Sequence, residues 1–232
     1  MLGPVDYGLW FLGALFEAAA VVCAVRTHSF VRYFPLILCM LTDLLTTLGR
    51  FVVLKQYGFT SLEYKYFYFY SDAVATIVLY FAVMGLYRLV FEEMRASKYI
   101  RGGAILLLGA TACVSYMVVN QHTAQLTTRF VFEVSQNLYF VGVVLTYLLW
   151  GAVMKLHETR TRIVQLVLSL GIYFSASAGS YALRNLVPNL ELVKLVPPLI
   201  GTFLPLAWSY TLWKIPEEAR LAPASLVARP HQ

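Results

Sequence analysis

Long apolar stretches separated by short polar breaks constrain this chain more than any other feature of its sequence. Each stretch is long enough to cross a bilayer as a helix, which takes about 20 apolar residues. The stretches lie near residues 5–25, 30–54, 64–90, 99–120, 130–154, 162–187 and 191–213. The sequence therefore predicts an all-α, polytopic membrane protein, with a seven-helix transmembrane domain over residues 1–214 and a short cytoplasmic tail over 215–232.

The composition leaves little sequence for a separate soluble domain. Hydrophobic residues make up 59% of the 232 and charged residues only 13%, which is far from the balance of soluble domains. The three cysteines lie inside apolar runs, and the four histidines lie in loops or the tail. Neither pattern matches a disulfide framework or a metal site, so no cofactor and no metal are predicted. An enzyme ranks third among the functional classes, although an acid dyad or a Ser/Lys pair stays open.

The distribution of Lys and Arg predicts the orientation of the chain. With seven crossings, 12 of the 18 basic residues fall on the side of the first, third and fifth loops and the tail. Short loops rich in Lys and Arg stay in the cytoplasm, so the amino terminus is predicted to lie outside, in a plasma membrane or a bacterial inner membrane. The net charge of +6 thus reflects topology. No basic cluster interleaved with aromatic residues points to nucleic acid as a partner.

Two parts of the chain resemble each other. A shift of 129 residues aligns the first and fifth spans, so that Gly13 matches Gly142, and a shift of 134 aligns the second and sixth, so that Arg50 matches Arg184. These matches predict a three-helix unit used twice, with the fourth span as an inverting connector that keeps both units parallel. The two units and the connector cover residues 5–96, 130–222 and 99–120. The alternative is that residues at membrane edges recur on every crossing.

This three-plus-one-plus-three arrangement resembles sugar-efflux transporters of the PQ-loop type and, more distantly, the opsin and receptor bundles. The resemblance is architectural. The Pro-Gln pair that marks PQ-loop proteins is missing, since Pro35 is followed by Leu36. Lys194 lies near the outer end of the seventh span, whereas an opsin has its retinal-binding lysine deep in that helix. Retinal is therefore not predicted, and membership in either family is not inferred.

Polar side chains follow one face of three spans, at spacings of three and four residues. Charged and polar groups are costly in lipid, so these faces should turn toward one another. Together the faces carry Asp43, Thr46, Thr47 and Arg50 in the second span, Asp72, Thr76 and Tyr80 in the third, and Ser169, Tyr173, Ser177, Ser180 and Arg184 in the sixth. The ligand-binding residues predicted from them are Asp43, Arg50, Asp72, Thr76, Tyr173, Ser177 and Arg184.

Depth in the membrane separates the roles of these charges. Arg50 lies about 10 Å further out than Asp43 on the same helix, at a depth similar to that of Asp72, so Arg50 and Asp72 are predicted to pair. The pair could line a cavity or serve only as a buried clamp. Asp43 has no basic residue at its own depth, which is typical of a proton or cation site or of an acid bonded to hydroxyls. Glu17 is assigned to the inner half.

These features predict an outward-facing cavity among the second, third, sixth and seventh spans. The predicted function is to bind a small polar or anionic ligand there for transport, because parallel repeats around a central site suit alternating access. The alternative is a non-enzymatic receptor, sensor or scaffold that couples to a cytoplasmic or membrane protein partner. The sparse polar residues of the inner half favour this alternative. In either case, the lipid bilayer is the surrounding partner.

Overall fold

The computed structural model describes residues 4–27, 29–91, 126–155, 160–186 and 191–220, and in these the chain is all-α. Its described helices are α1 (Pro4–Arg26), α2 (Phe34–Tyr57), α3 (Leu62–Val90), α4 (Leu126–Lys155), α5 (Thr161–Leu186) and α6 (Glu191–Lys214). They correspond to the first three and last three predicted spans. The fourth predicted span, 99–120, lies outside the described residues, and so does most of the tail.

Local sequence signals set the boundary between α2 and α3. Gly58 closes α2 with φ +84°, a left-handed conformation that glycine adopts readily, and its N–H donates to the carbonyl of Leu54. Ser61 then caps α3, since its hydroxyl accepts the N–H of Tyr64 at 3.1 Å. α3 thus begins two residues before the predicted start, because the aromatic residues that follow Ser61 belong to its first turns.

Five of the six described helices are long and apolar enough to cross a membrane. Large apolar side chains cover their outer surface, and examples are Phe11 at 74% exposure and Phe81 at 59%. A soluble protein rarely exposes such wide apolar patches, whereas lipid tails solvate them. The described helices are therefore compatible with a multi-pass membrane protein. Small residues such as Ala20, Ala24 and Ala82 lie in the interior, where they let helices approach closely.

The described helices form a closed ring in which each contacts the next and α6 returns to α1. Most neighbours are antiparallel: Gly49 of α2 lies against Phe67 of α3, whereas Gly85 further along α3 lies against Pro35. Contacts in reversed sequence order show that three more pairs are antiparallel. In α1 and α2, Trp10 contacts Phe51 and Glu17 contacts Thr47. The other contacts are Gly142 with Phe174 and Thr146 with Gly171 for α4 and α5, and Ser169 with Trp208 and Arg162 with Leu212 for α5 and α6.

Two pairs of neighbours in the ring are parallel. The hydroxyl of Tyr80 donates to the carbonyl of Leu138 at 2.5 Å, and seven residues later Tyr87 donates to Leu145 at 2.6 Å. The constant offset shows that α3 and α4 run in the same direction. α1 and α6 are also parallel, because the pairing of Gly13 with Thr202 is followed by that of Phe16 with Ser209.

Arg162 connects three segments by hydrogen bonds at the end of the bundle that the charge distribution predicts to be cytoplasmic. It is 4% exposed, and its guanidinium donates to the carbonyls of Ile215 (2.8 Å) and Leu212 (3.3 Å) and to the hydroxyl of Ser29 (2.9 Å). One side chain at the start of α5 thus holds the end of α6 and the turn between α1 and α2. Burial is the main cause of the raised pKa of the neighbouring Tyr33 phenol.

Candidate functional site

A small cavity of about 40 Å³ lies where five of the six described helices meet. Asp43 of α2, Thr76 of α3 and Tyr173 of α5 line it, which brings together three of the seven predicted site residues. The remaining lining comes from α3, α4 and α6: Ala75, Leu79, Tyr139, Gly201, Leu204 and Pro205. The cavity is thus mostly apolar, with one carboxylate and three hydroxyl groups on its wall.

Among the described residues of this wall, Asp43 is the only charged one. Within the described parts of the chain, no Lys or Arg lies within ion-pair distance of its carboxylate; the thiol of Cys39 approaches one carboxylate oxygen at 3.7 Å. Thr46 is no partner of the carboxylate either, because its hydroxyl donates to the backbone carbonyl of Asp43 at 2.9 Å. The carboxylate is therefore available to take up a proton or to coordinate a cation.

Thr76 and Tyr173 line the cavity from two different helices, α3 and α5. Thr76 is 1% exposed, and its hydroxyl donates to the backbone carbonyl of Asp72 at 2.8 Å, which leaves the lone pairs of the oxygen to accept. The ring of Tyr173 packs against those of Phe174 and Tyr139, with centroids 5.9 and 6.3 Å away. The polar atoms of the cavity are therefore held by rigid helices and packed rings.

Glu17 belongs to the same polar region, which corrects its assignment to the inner half. It is 8% exposed, the hydroxyl of Thr47 donates to its Oε1 at 3.5 Å, and its Oε2 is buried without a hydrogen-bond partner. α1 packs antiparallel to α2 in a register that puts Glu17 beside Thr47, between the levels of Asp43 and Arg50. Sequence position alone placed it two residues past the middle of its span and did not reveal that register.

Arg50 and Asp72 form a second polar cluster, further toward the C-terminal end of α2. Arg50 Nη2 lies 3.6 Å from Asp72 Oδ1, which confirms the pairing predicted from depth. Its Nε also donates to the hydroxyl of Ser71 at 2.8 Å, and its guanidinium stacks on Tyr68 at 4.3 Å from the ring centroid. An ion pair, a hydrogen bond and a cation–π contact thus engage Arg50, and it clamps α2 to α3.

Ser177 is not among the described residues that line the cavity of Asp43. Ser177 lies one turn beyond Tyr173, is 7% exposed, and accepts at its backbone carbonyl a hydrogen bond of 2.7 Å from the hydroxyl of Ser180. The backbone of Arg184 belongs to α5, but its side chain lies outside the described residues. Ser177 therefore extends the polar face of α5 outward.

Sequence reasoning placed the seventh span, α6, at the cavity but predicted no lining residue on it, and it missed the contribution of α4. Among the described residues, α4 contributes the polar side chain of Tyr139, and α6 contributes Gly201, Leu204 and Pro205, none of which is polar. No sequence signal marked Tyr139, because it lies within a hydrophobic run and is one tyrosine among many. Within the described residues, no group of three His, Cys, Asp or Glu side chains could hold a metal ion.

No protein-family model, curated protein or solved structure matches this chain.

Proposed function

We propose that this protein is a membrane transporter that binds a small polar solute or cation at the central cavity. One observation carries the proposal: Asp43, Thr76 and Tyr173 converge, from three separate helices, on a cavity that five helices enclose. Burying a carboxylate without a basic partner costs free energy, and function is the usual reason for that cost inside a membrane.

The size and charge of the cavity restrict what it accommodates in this conformation. A volume of about 40 Å³ holds one water molecule or a bare ion and is too small for an organic solute such as a sugar. Asp43 on its wall and the nearby Glu17 repel anions, while Arg50 is engaged with Asp72. A proton or small cation therefore fits the site better than an anionic ligand, and a larger polar solute would require the cavity to open.

Seven crossings are part of the proposal, and the parallel pairs support them. The register of Tyr80 with Leu138 places the start of α4, Leu126, at the level of Tyr68, whereas α3 ends at Val90. The chain must therefore return about 33 Å along the bundle between the two helices. The predicted connector, 99–120, has the length of a helix that spans this distance.

The internal repeat also belongs to the proposal. The helix contacts of α1–α3 correspond to those of α4–α6. The antiparallel pairs α1–α2 and α2–α3 match α4–α5 and α5–α6, and the parallel pair α3–α4 matches the parallel pair α6–α1. Phe16 and Leu145, which the shift of 129 residues aligns, both accept a hydroxyl hydrogen bond at their carbonyl from the parallel neighbour. Two such units around Asp43 could rock against each other and open the cavity to either side in turn.

We further propose that the amino terminus lies outside and the tail in the cytoplasm. The excess of Lys and Arg at one end supports this orientation. A reporter that is active only in the cytoplasm, fused after Gln232, should be active, and the same reporter fused before Met1 should be silent. The opposite result would reverse the orientation.

A receptor or sensor is the second candidate, and the packing inward of the cavity favours it. Val83 and Leu86 of α3, and Leu166 and Leu170 of α5, are completely buried there, so the described conformation is closed toward the predicted cytoplasmic side. A transporter must open this barrier, whereas a sensor can keep it closed and pass a helix shift to a cytoplasmic or membrane protein partner.

Native mass spectrometry of the full chain released from lipid nanodiscs tests whether the cavity binds a solute. We expect a small polar molecule or cation to remain bound to the wild type and to be lost in Asp43→Asn. Glu63→Gln is the matched control, since Glu63 is an exposed acid in the first turn of α3, and it should retain the ligand. Retention in Asp43→Asn equal to that of the wild type would contradict the proposed site.

A further inference from the structure

A second and larger cavity, of about 290 Å³, lies at the predicted cytoplasmic end of the bundle. Its volume is close to the lower limit of ordinary small-molecule sites. It lies between the start of α5, the end of α6 and the turn before α2. Its charged lining consists of Arg32, Arg160, Arg162, Arg220, Glu217 and Glu218.

Among the described residues of the lining, the four guanidinium groups outnumber the two carboxylates, so this part of the lining carries an excess of positive charge. Glu217 is shared, because it forms an ion pair with Arg32 and lies 4.0 Å from Arg162. The described hydrogen bonds of Arg162 go to neutral carbonyls and a hydroxyl. Such bonds hold a guanidinium in place without cancelling its charge, and a positive potential therefore remains in the cavity.

The backbone holds two of these arginines side by side. Arg160 and Arg220 form an antiparallel bridge, and the N–H of the next residue, Thr161, donates to the carbonyl of Ala219 at 3.1 Å. Arg220 Nη1 donates to the carbonyls of Glu217 (3.1 Å) and Ala219 (3.4 Å). Arg160 Nη2 donates to the carbonyl of Leu89 at 2.9 Å, so backbone carbonyls orient both guanidinium groups. The first turn of α5 adds the positive end of a 26-residue helix.

We propose that this cavity binds a phosphate group. Guanidinium groups match phosphate oxygens in geometry and charge, and Arg162, which is 4% exposed, supplies a preorganised wall. The position fits a lipid headgroup, because Trp213 at the end of α6 is 70% exposed and its ring lies 5.4 Å from Lys214 Nζ, as at a membrane interface. A soluble phosphate ester shares the same chemistry.

The test compares two phosphate sources on the full-length protein in a neutral detergent, with thermal unfolding followed by tryptophan fluorescence. One arm titrates inorganic pyrophosphate against sodium chloride at equal ionic strength. The other arm adds short-chain phosphatidylglycerol against the zwitterionic phosphatidylcholine. We expect saturable stabilisation in at least one arm. Pyrophosphate alone would identify a soluble ester, phosphatidylglycerol alone a lipid headgroup, and either result supports a phosphate site.

Variants separate the cavity from the general positive charge of this end. Arg220→Gln should weaken the apparent affinity at least tenfold, and its fold should persist because the described contacts of this exposed side chain stay within its own loop. Arg26→Gln removes the same charge from the exposed end of α1, outside the cavity, and should change the affinity less than twofold. Absence of saturable stabilisation in both arms, or equal losses in the two variants, would overturn the proposal.

Discussion

The two tyrosine hydroxyls between α3 and α4 offer the sharpest test of the parallel packing. Tyr80→Phe and Tyr87→Phe each remove one buried hydrogen bond, of 2.5 and 2.6 Å, and keep the ring. The contact of the Tyr80 ring with Phe174, at a centroid distance of 6.3 Å, therefore stays in place. Any loss of stability then reports the hydroxyl alone.

The expected loss is modest, because the acceptor carbonyls of Leu138 and Leu145 lie within α4 and also serve the hydrogen bonds of that helix. Each substitution should lower the free energy of unfolding by about 0.6 to 1.5 kcal/mol, the range of hydrogen bonds between membrane helices. Seven residues separate the two tyrosines by about 10 Å, so the double variant should lose about 1 to 3 kcal/mol, the sum of the two.

Equilibrium unfolding in mixed micelles with rising SDS, followed by far-ultraviolet circular dichroism, measures these differences. Tyr147→Phe is the matched control, because Tyr147 lies on α4 at 64% exposure and faces lipid, and it should leave the midpoint unchanged. If the double variant loses no more stability than this control, the register of α3 against α4 is wrong, and the argument for a returning fourth span fails with it.

Three further experiments test the packing of the ring and use the same unfolding assay. Gly142→Ala should destabilise the protein by about 1 to 3 kcal/mol, because the added Cβ would collide with the ring of Phe174. The control Gly151→Ala places its Cβ in open space and should be neutral or stabilising. Equal effects of the two variants would contradict the close approach of α4 and α5. Arg162→Gln should cost about 3 kcal/mol, because it breaks two buried hydrogen bonds and one partly buried one. Arg88→Gln, at an exposed position of α3, should leave the midpoint unchanged, and similar midpoints for the two variants would show that Arg162 is no clamp. In a double-mutant cycle, Arg50→Gln and Asp72→Asn should show a coupling free energy of about 0.5 to 1 kcal/mol, because the two side chains lie 3.6 Å apart and are partly exposed. If the two losses of stability are additive, the ion pair contributes nothing.

The polar faces of the sequence predicted a large part of the central site. The spacing of Asp43, Thr76 and Tyr173 on their helices indicated which sides face the interior, because polar groups avoid lipid. The depth of Arg50 and Asp72 along their helices likewise predicted their ion pair. Helical spacing and rise suffice for such predictions, since both are fixed by the geometry of the α-helix.

Apolar helices gave no comparable signal. α1 is apolar on all sides, so nothing in its sequence distinguishes the buried Ala20 and Ala24 from the exposed Phe11, and the register that brings Glu17 to Thr47 stayed hidden. Arg162 was read only as one more basic residue at a membrane edge. Its burial depends on the carbonyls of Leu212 and Ile215, about 50 residues away in the sequence, and the packing of α5 on α6 brings them together.

Access of water to the central cavity from both sides of the membrane is the most direct test of the proposed transport. The test variant carries Thr76→Cys as its single cysteine, with Cys23, Cys39 and Cys113 replaced by serine. A charged, membrane-impermeant thiol reagent is added to either side of oriented vesicles that contain it. Leu45→Cys, which faces lipid at 61% exposure, serves as the unreactive control. The account predicts labelling of Thr76→Cys from both sides. Labelling from the outer side alone would favour the sensor, and no labelling from either side would contradict an accessible site at Asp43.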